Sequence, residues 1–549
     1  MKVEKREWLV LLLIPCIVGI AMLIQPPVFY LNDDMTIRSI LSGSYSGTPD
    51  GHAVYMGYPL TWILALLYRI CGLPWLEIFF LLCITAGMIM TAWQFKQPLI
   101  GTCVALLAYM PFAMRLHYTL VAAVLCATAV FLLIRGKNNK SALVMFLLAY
   151  MIRSQVGLLC IPFVGCALVW RMTVVSSTER KSKLVSSLKW LGGMVIGLLF
   201  CMIMNYVAYS SPEWKEYQAY NKSRTLLYDY TNFSSTDLYG INSEQYGISE
   251  QDYRMLSNYA TILDASFDRQ RMQQVADAVL EEMNKNPELG NPMVKAVKDY
   301  YRRMRYENEP YNYICVVAYL GLAIGLIFYK KWCNLIILGL LGIGRSSIWV
   351  YLLWKGRFPE RVSLSLYLIE LMLLLGMLFY FFDEKKVLQD KAKKIVCGVV
   401  TMLLVLAFCV QWNSTRKEIQ VFVRTPAEWS NLRGYCAENT QNLYLIDVWS
   451  AKNYMDFPFT RDAENAKLMG GWMTASPFAQ RMFDSLGVAD AAEAIYYCEQ
   501  VRFVAARNRE VLWLEQYLSE RFGECKFVKI CDITWKEETG FVEYKLAKP

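Results

Sequence analysis

Two adjacent carboxylates, Asp33 and Asp34 in "YLNDDMTIRS", follow directly on an apolar run from Trp8 to Phe29. Other polar residues break the apolar runs further on: Arg115 and His117 in "PFAMRLHY", Arg153 in "AYMIRSQVG", and Arg357, Glu360 and Arg361 in "WKGRFPERV". Two acids and several arginines at one depth suit one kind of chemistry. A carboxylate takes a proton from an attacking hydroxyl, and guanidinium groups hold a departing phosphate through paired, charge-assisted hydrogen bonds. Transfer of a sugar from a polyprenyl phosphate needs both. The plainer reading of "NDD" is a solvated helix start capped by Asn32 or Asp33. An arginine at the end of an apolar run is often an interfacial anchor. Arg153 stands apart, because so short a turn between two apolar runs leaves it little reason but a partner.

The elements that must position these residues are apolar and long. Of 549 residues, 56% are hydrophobic and only 19% are charged, too apolar for an ordinary soluble chain. Runs near 20 residues with few charges predict membrane-spanning helices, about eleven of them, near 8–29, 76–95, 98–114, 118–135, 141–152, 154–171, 187–208, 311–329, 334–354, 362–382 and 394–412. The segment 58–75 is apolar but short and carries Arg69, so it is expected to be a re-entrant or surface-lying helix of the first outer loop, with a genuine span as the rival reading. The fold class is therefore mainly α, a polytopic α-helical membrane domain. Four regions are expected: a membrane module at 1–209 with the two acids, a helical outer loop at 210–309, further spans at 310–412, and a small α/β domain at 413–549.

Charge assigns the sides. With a cytoplasmic N-terminus the inner loops are "KVEKR", "QFKQ", "RGKNNK", "ERKSKLVSSLK", "YKK" and "DEKKVLQDKAKK", all basic, as the positive-inside bias requires. Residues 210–309 carry net −4 and residues 413–549 net −2, against +9 for the whole chain. The basic balance thus reports topology, and no nucleic-acid partner is implied. The expected protein is integral to a bacterial plasma membrane, with its C-terminal domain outside.

In the outer loop, "SEQD" from Ser249 to Asp252 has the pattern of a capping box and predicts a helix toward Asn284. The Tyr-, Ser- and Asn-rich stretch from Ser223 to Gly247 lacks periodicity and reads as a loop. The C-terminal region alternates, with strands at 442–448 and 501–506, a helix at 509–521 and a closing hairpin. With only two histidines, His52 and His117, and no CxxC, a zinc site is not expected. Any disulfide among Cys436, Cys498, Cys525 and Cys531 needs Cys436 or Cys498, because Cys525 and Cys531 share one extended stretch.

Residues 8–172 resemble the GT-C superfamily of membrane glycosyltransferases, which includes protein O-mannosyltransferases and lipid A aminoarabinose transferases. The resemblance rests on "DD" after the first span, "GYPLTWILALLYRICGLPW", "PFAMRLHYTLVAAVL" and "YMIRSQ", with a weaker echo at 354–367. It implies Asp33 as catalytic base, with Asp34 as its partner or, in metal-using members, as a ligand with it for Mg²⁺ or Mn²⁺. It implies a substrate-binding set of Arg115, His117, Arg153, Arg357, Arg361 and Tyr58, a polyprenyl-phosphate sugar donor among membrane lipids, and an extracytoplasmic acceptor. The chain departs from the family pattern where the second acid is Asp instead of Glu, where the double proline is Pro59 alone, and where Tyr118 replaces an acid. The rival classes are a flippase or transporter, for which Arg345 inside an apolar run is the strongest feature, and a polysaccharide polymerase or ligase.

Overall fold

The computed structural model describes the chain except residues 1–4, 31, 137–138, 175–176, 232–246, 286–291, 307–309, 357, 385–389, 423, 452–455 and 537–538. The membrane module comprises α1 (Lys5–Ile24), β1 (Val28–Phe29), α2 (Asn32–Ser42), α3 (Tyr58–Ile70), α4 (Trp75–Ala92), α5 (Pro98–Met114), β2 (Arg115–Leu116), α6 (Tyr118–Arg135), α7 (Asn139–Ile152), α8 (Ser154–Val174) and α9 (Ser177–Ala208). All eleven apolar runs are helical, and eight of these helices are long and apolar enough to cross a membrane. Residues such as Ile196, Phe200 and Ile203 on α9 are exposed large hydrophobics. So continuous an apolar exterior needs lipid around it.

The segment after α9 carries α10 (Pro212–Thr225), a π-helical turn at Leu226–Tyr230, α11 (Glu250–Ser257), α12 (Arg269–Lys285) and α13 (Pro292–Tyr306). Two expectations change here. Residues 223–230, read as loop, are helical, and the helix expected toward Asn284 is two helices. The capping box forms as expected, with Ser249 Oγ accepting from the Asp252 N–H. The helix then breaks after Ser257, where Tyr259 takes a left-handed backbone with φ 56°. Asp268 starts the second helix by accepting from the Arg271 N–H.

Four more apolar helices follow, α14 (Pro310–Phe328), α15 (Trp332–Trp354), α16 (Glu360–Glu384) and α17 (Asp390–Phe422). The most enclosed helices are α6, buried along its whole length, and α16. Gly376 on α16 lies close to Ile134 and Phe131 of α6, a close approach that a larger residue would obstruct.

Hydrogen bonds tie the helix ends into two sets. At one end Arg135 donates to the Gln94 carbonyl (3.0 Å), Arg171 to Asn139 Oδ1 (3.1 Å), Trp190 to the Asn139 carbonyl (3.1 Å) and Asn334 to Thr173 (2.9 Å). These residues border the short basic segments. At the other end β1 pairs in parallel with β2, and the Tyr58 N–H donates to Asn205 Oδ1 at 2.7 Å. Arg69 donates to the Pro49 carbonyl (2.8 Å) in the segment after α2. Both ends of α3 thus join the α2 end of the bundle. Its 13 residues reach only about 20 Å, short of a hydrocarbon core of about 30 Å.

The C-terminal region holds α18 (Arg424–Glu438), β3 (Leu443–Asp447), β4 (Ala466–Met469), α19 (Pro477–Leu486), α20 (Ala491–Tyr497), β5 (Val501–Ala506), α21 (Leu512–Phe522), β6 (Lys526–Lys536) and β7 (Thr539–Ala547). The sheet order is β4-β3-β5-β7-β6, with β4, β3 and β5 parallel and the β6–β7 hairpin antiparallel. The expected strands, helix and hairpin are all present. β4 is additional: four residues at a sheet edge are too few for a periodic signal. Cys436, Cys498, Cys525 and Cys531 are free thiols.

Candidate functional site

The β1–β2 pair builds the frame of the site. Val28 and Phe29 register with Arg115 and Leu116, and the Tyr30 N–H continues the pairing to the Leu116 carbonyl at 3.0 Å. The segment leaving α1 is thereby fixed to the α5–α6 turn, so Asp33 and Asp34 on the first turn of α2 meet His117 and Tyr118. The two acids then part company. Asp33 is half-buried, whereas Asp34 is completely enclosed.

Asp34 Oδ1 accepts from the Tyr118 N–H at 2.9 Å, satisfying a free donor at the start of α6. Its Oδ2 lies 3.8 Å from His117 Nε2, and neither atom has a hydrogen-bond partner. His117 caps the same helix, its Nδ1 accepting from the Thr119 N–H at 2.9 Å. An accepting Nδ1 places the ring proton on Nε2. Burial first, then Arg361 and Arg153, hold His117 well below the usual histidine range. Burial pushes the Asp34 carboxyl well above the usual carboxylate range, against the opposing pull of Tyr118 and Arg361.

Arg153, at the break between α7 and α8, lies within cation–π distance of two aromatic rings. Its guanidinium carbon is 4.9 Å from the Tyr118 ring centre and 5.3 Å from that of Tyr55. The two rings are nearly parallel, 9° apart in tilt with centres 6.5 Å apart. A cation–π contact consumes none of the guanidinium donors, and buried Nη1 has no partner. Arg361, half-buried in the first turn of α16, forms no ion pair among the described residues, and its charge acts on Asp34, His117 and Tyr118. Arg357 lies outside the described residues.

Arg115 and Tyr58 are placed differently from the rest of the expected set. Arg115 is already paired, 2.7 Å from Glu418 and 3.5 Å from Glu360, and it packs over the Tyr30 ring. Tyr30 donates to Glu360 at 2.8 Å. Arg115 thus clasps α17 and α16 to the β1–β2 frame. Tyr58 packs with His52 and Tyr209 in a separate aromatic group completed by Trp214. The described residues contain no group of three or more His, Cys, Asp or Glu side chains arranged to hold a metal ion.

Three features lie beyond what local sequence signals. Arg224 on α10 is buried, donates to Asn221 Oδ1 at 2.8 Å, and has no ion pair among the described residues. Burial pushes the ionisation of Tyr55, which flanks Arg153, above the usual tyrosine range, and the charges of Arg224, Asp33, Asp229 and Arg153 also act on it. A buried ion network also fastens α2 to the C-terminal domain. Arg38 reaches Asp462 at 2.5 Å and Asp456 at 2.8 Å, and Arg433 grips Asp456 through both terminal nitrogens at 2.6 and 2.8 Å. Glu77 on α4 closes the network 3.5 Å from Arg38.

No family model matches the chain, and no curated protein or solved structure matches it.

Proposed function

We propose that the protein is a membrane glycosyltransferase with eleven spans and an extracytoplasmic C-terminal domain. It moves a sugar from a polyprenyl-phosphate donor to an acceptor outside the cytoplasm. Asp33 is the base that accepts the proton of the acceptor hydroxyl as it attacks the anomeric carbon. Arg153 and Arg361 bind the phosphate that leaves with the bonding electrons, and Arg224 adds charge from the outer segment. Asp34 is a positioning residue that holds the start of α2 against α6. The reading rests on one observation, a guanidinium packed against two aromatic rings with an unpartnered buried donor, in the same polar region as a half-buried carboxylate.

The transporter reading would draw on Arg345 and Glu370, a charged pair among the apolar helices. They occupy each other at 3.0 Å, with Asn312 accepting from Arg345 at 2.7 Å and Tyr319 donating to Glu370 at 2.8 Å. So complete a set of partners suits a clasp between α15 and α16 better than a carrier of ions.

The test uses purified protein in lipid nanodiscs with undecaprenyl phosphate as binding probe and a radiolabelled undecaprenyl-phosphate hexose as donor. Arg153→Ala should weaken lipid-phosphate binding by about tenfold or more. Asp33→Asn should leave binding nearly unchanged while slowing release of labelled sugar by about a hundredfold or more. Wild-type protein that binds no polyprenyl phosphate would remove the reading.

A further inference from the structure

A cavity of about 90 Å³ lies between α2 and the C-terminal domain, apart from the arginines assigned to the phosphate. Tyr45, Trp429 and Trp472 contribute aromatic walls, while Ser39, Asp462 and Arg433 supply polar groups. Two of its lining groups are unsatisfied. Arg433 is 5% exposed and its Nε has no hydrogen-bond partner, although both terminal nitrogens are bound. The Tyr45 hydroxyl is likewise buried without a partner. Buried donors left open in a native structure call for an explanation, and a ligand rich in hydroxyl groups provides one.

We infer that this cavity is a saccharide-binding subsite and, on the transferase reading above, that it holds the sugar of the acceptor. Aromatic faces beside a few fixed polar groups suit a pyranose, whose ring presents C–H bonds on its faces and hydroxyls at its edge. A lipid chain would leave Arg433 Nε and the Tyr45 hydroxyl unanswered. Position separates this subsite from the phosphate. Thr36 lines the cavity and is one helical turn from Asp33, so both lie along the same side of α2. Trp472 lines it as well, and its ring is 4.8 Å from that of Tyr55, which flanks Arg153. Trp472 of the subsite and Arg153 of the phosphate site thus both pack against Tyr55, and Asp33 lies one helical turn from Thr36 of the cavity wall. Lys467 shapes the wall by donating to the carbonyls of Ser44 and Tyr45.

The test is saturation-transfer NMR on the full chain in nanodiscs. The probes are the methyl glycosides of glucose, galactose, mannose and N-acetylglucosamine, with the disaccharides of each. At least one should bind, and Ala466→Leu, which fills the cavity from β4, should weaken it by about tenfold or more. Tyr45→Phe removes only a hydroxyl and should weaken the same probe by a smaller factor with the fold intact. Absence of binding by all probes, or binding unaltered in both variants, overturns the subsite. Undecaprenyl phosphate binding is measured on the same samples. Lipid-phosphate binding without saccharide binding removes the subsite and leaves the transferase reading, and the reverse pattern retains the subsite while removing the transferase.

Discussion

Asp33 and Asp34 are adjacent in the chain and opposite in environment, so their substitutions should separate. Asn at position 34 keeps an oxygen for the Tyr118 N–H, and its amide faces His117 Nε2 at a distance, 3.8 Å in the native pair, that is too long for a direct clash. Burial raises the Asp34 carboxyl above its unfolded value near 3.8. The folded state therefore holds the proton more tightly than the unfolded state. That contribution is fully present below the unfolded value and is lost as pH rises through the raised folded value. Asp34→Asn should flatten this fall, so the variant gains on the wild type in thermal unfolding as pH is raised from about 4. A wild-type profile parallel to that of the variant would show that the carboxyl is not raised. At this scale the sequence carried much of the site, because paired acids and arginines in short polar breaks are conspicuous among apolar runs. It could not tell which acid is enclosed. That depends on the β1–β2 pairing, which brings together residues far apart in the chain.

The elements differ in how plainly they were written. The apolar helices were legible because a lipid-facing or bundle-core helix must be apolar along its length, and α6, buried throughout, is the limiting case. The break at Tyr259 was hidden, since polar residues run through it without a Gly or Pro to mark it. Attachment of α2 to the C-terminal domain was hidden more deeply, because Arg38 and Asp462 are 424 residues apart. That attachment is testable by counting charges. Two arginines face three acids, Asp456, Asp462 and Glu77. Arg433→Met leaves one arginine among three carboxylates, of which Asp456 and Glu77 are fully buried, and should cost about 3–5 kcal/mol. Asp456→Asn leaves two against two and should cost clearly less, although hydrogen bonds weaken. Unfolding in denaturant measures both, and equal losses would mean that the network acts through packing instead of charge.

For the whole molecule, the two sets of helix ends make a prediction about sides. Gln94, Arg135, Asn139, Arg171 and Trp190 gather at one end, beside the basic segments, whereas Asp33, Arg115, Arg153 and Arg361 gather at the other with the C-terminal domain. Crossing helices that alternate between these ends fix every loop once one is placed. The basic bias predicts that the first set is cytoplasmic. Reporter tags after Lys140 and Lys183 should therefore be cytoplasmic, and a tag after Lys548 should be external. A pair of tags, one after Gly47 and one between Cys71 and Pro74, tests α3 separately. If α3 lies along the surface, both tags are external like the one after Lys548. If α3 crosses, the two tags lie on opposite sides of the membrane. Tags after Lys140 and Lys548 found on one side would contradict the alternation itself, and with it the common face on which Asp33 and Arg153 meet.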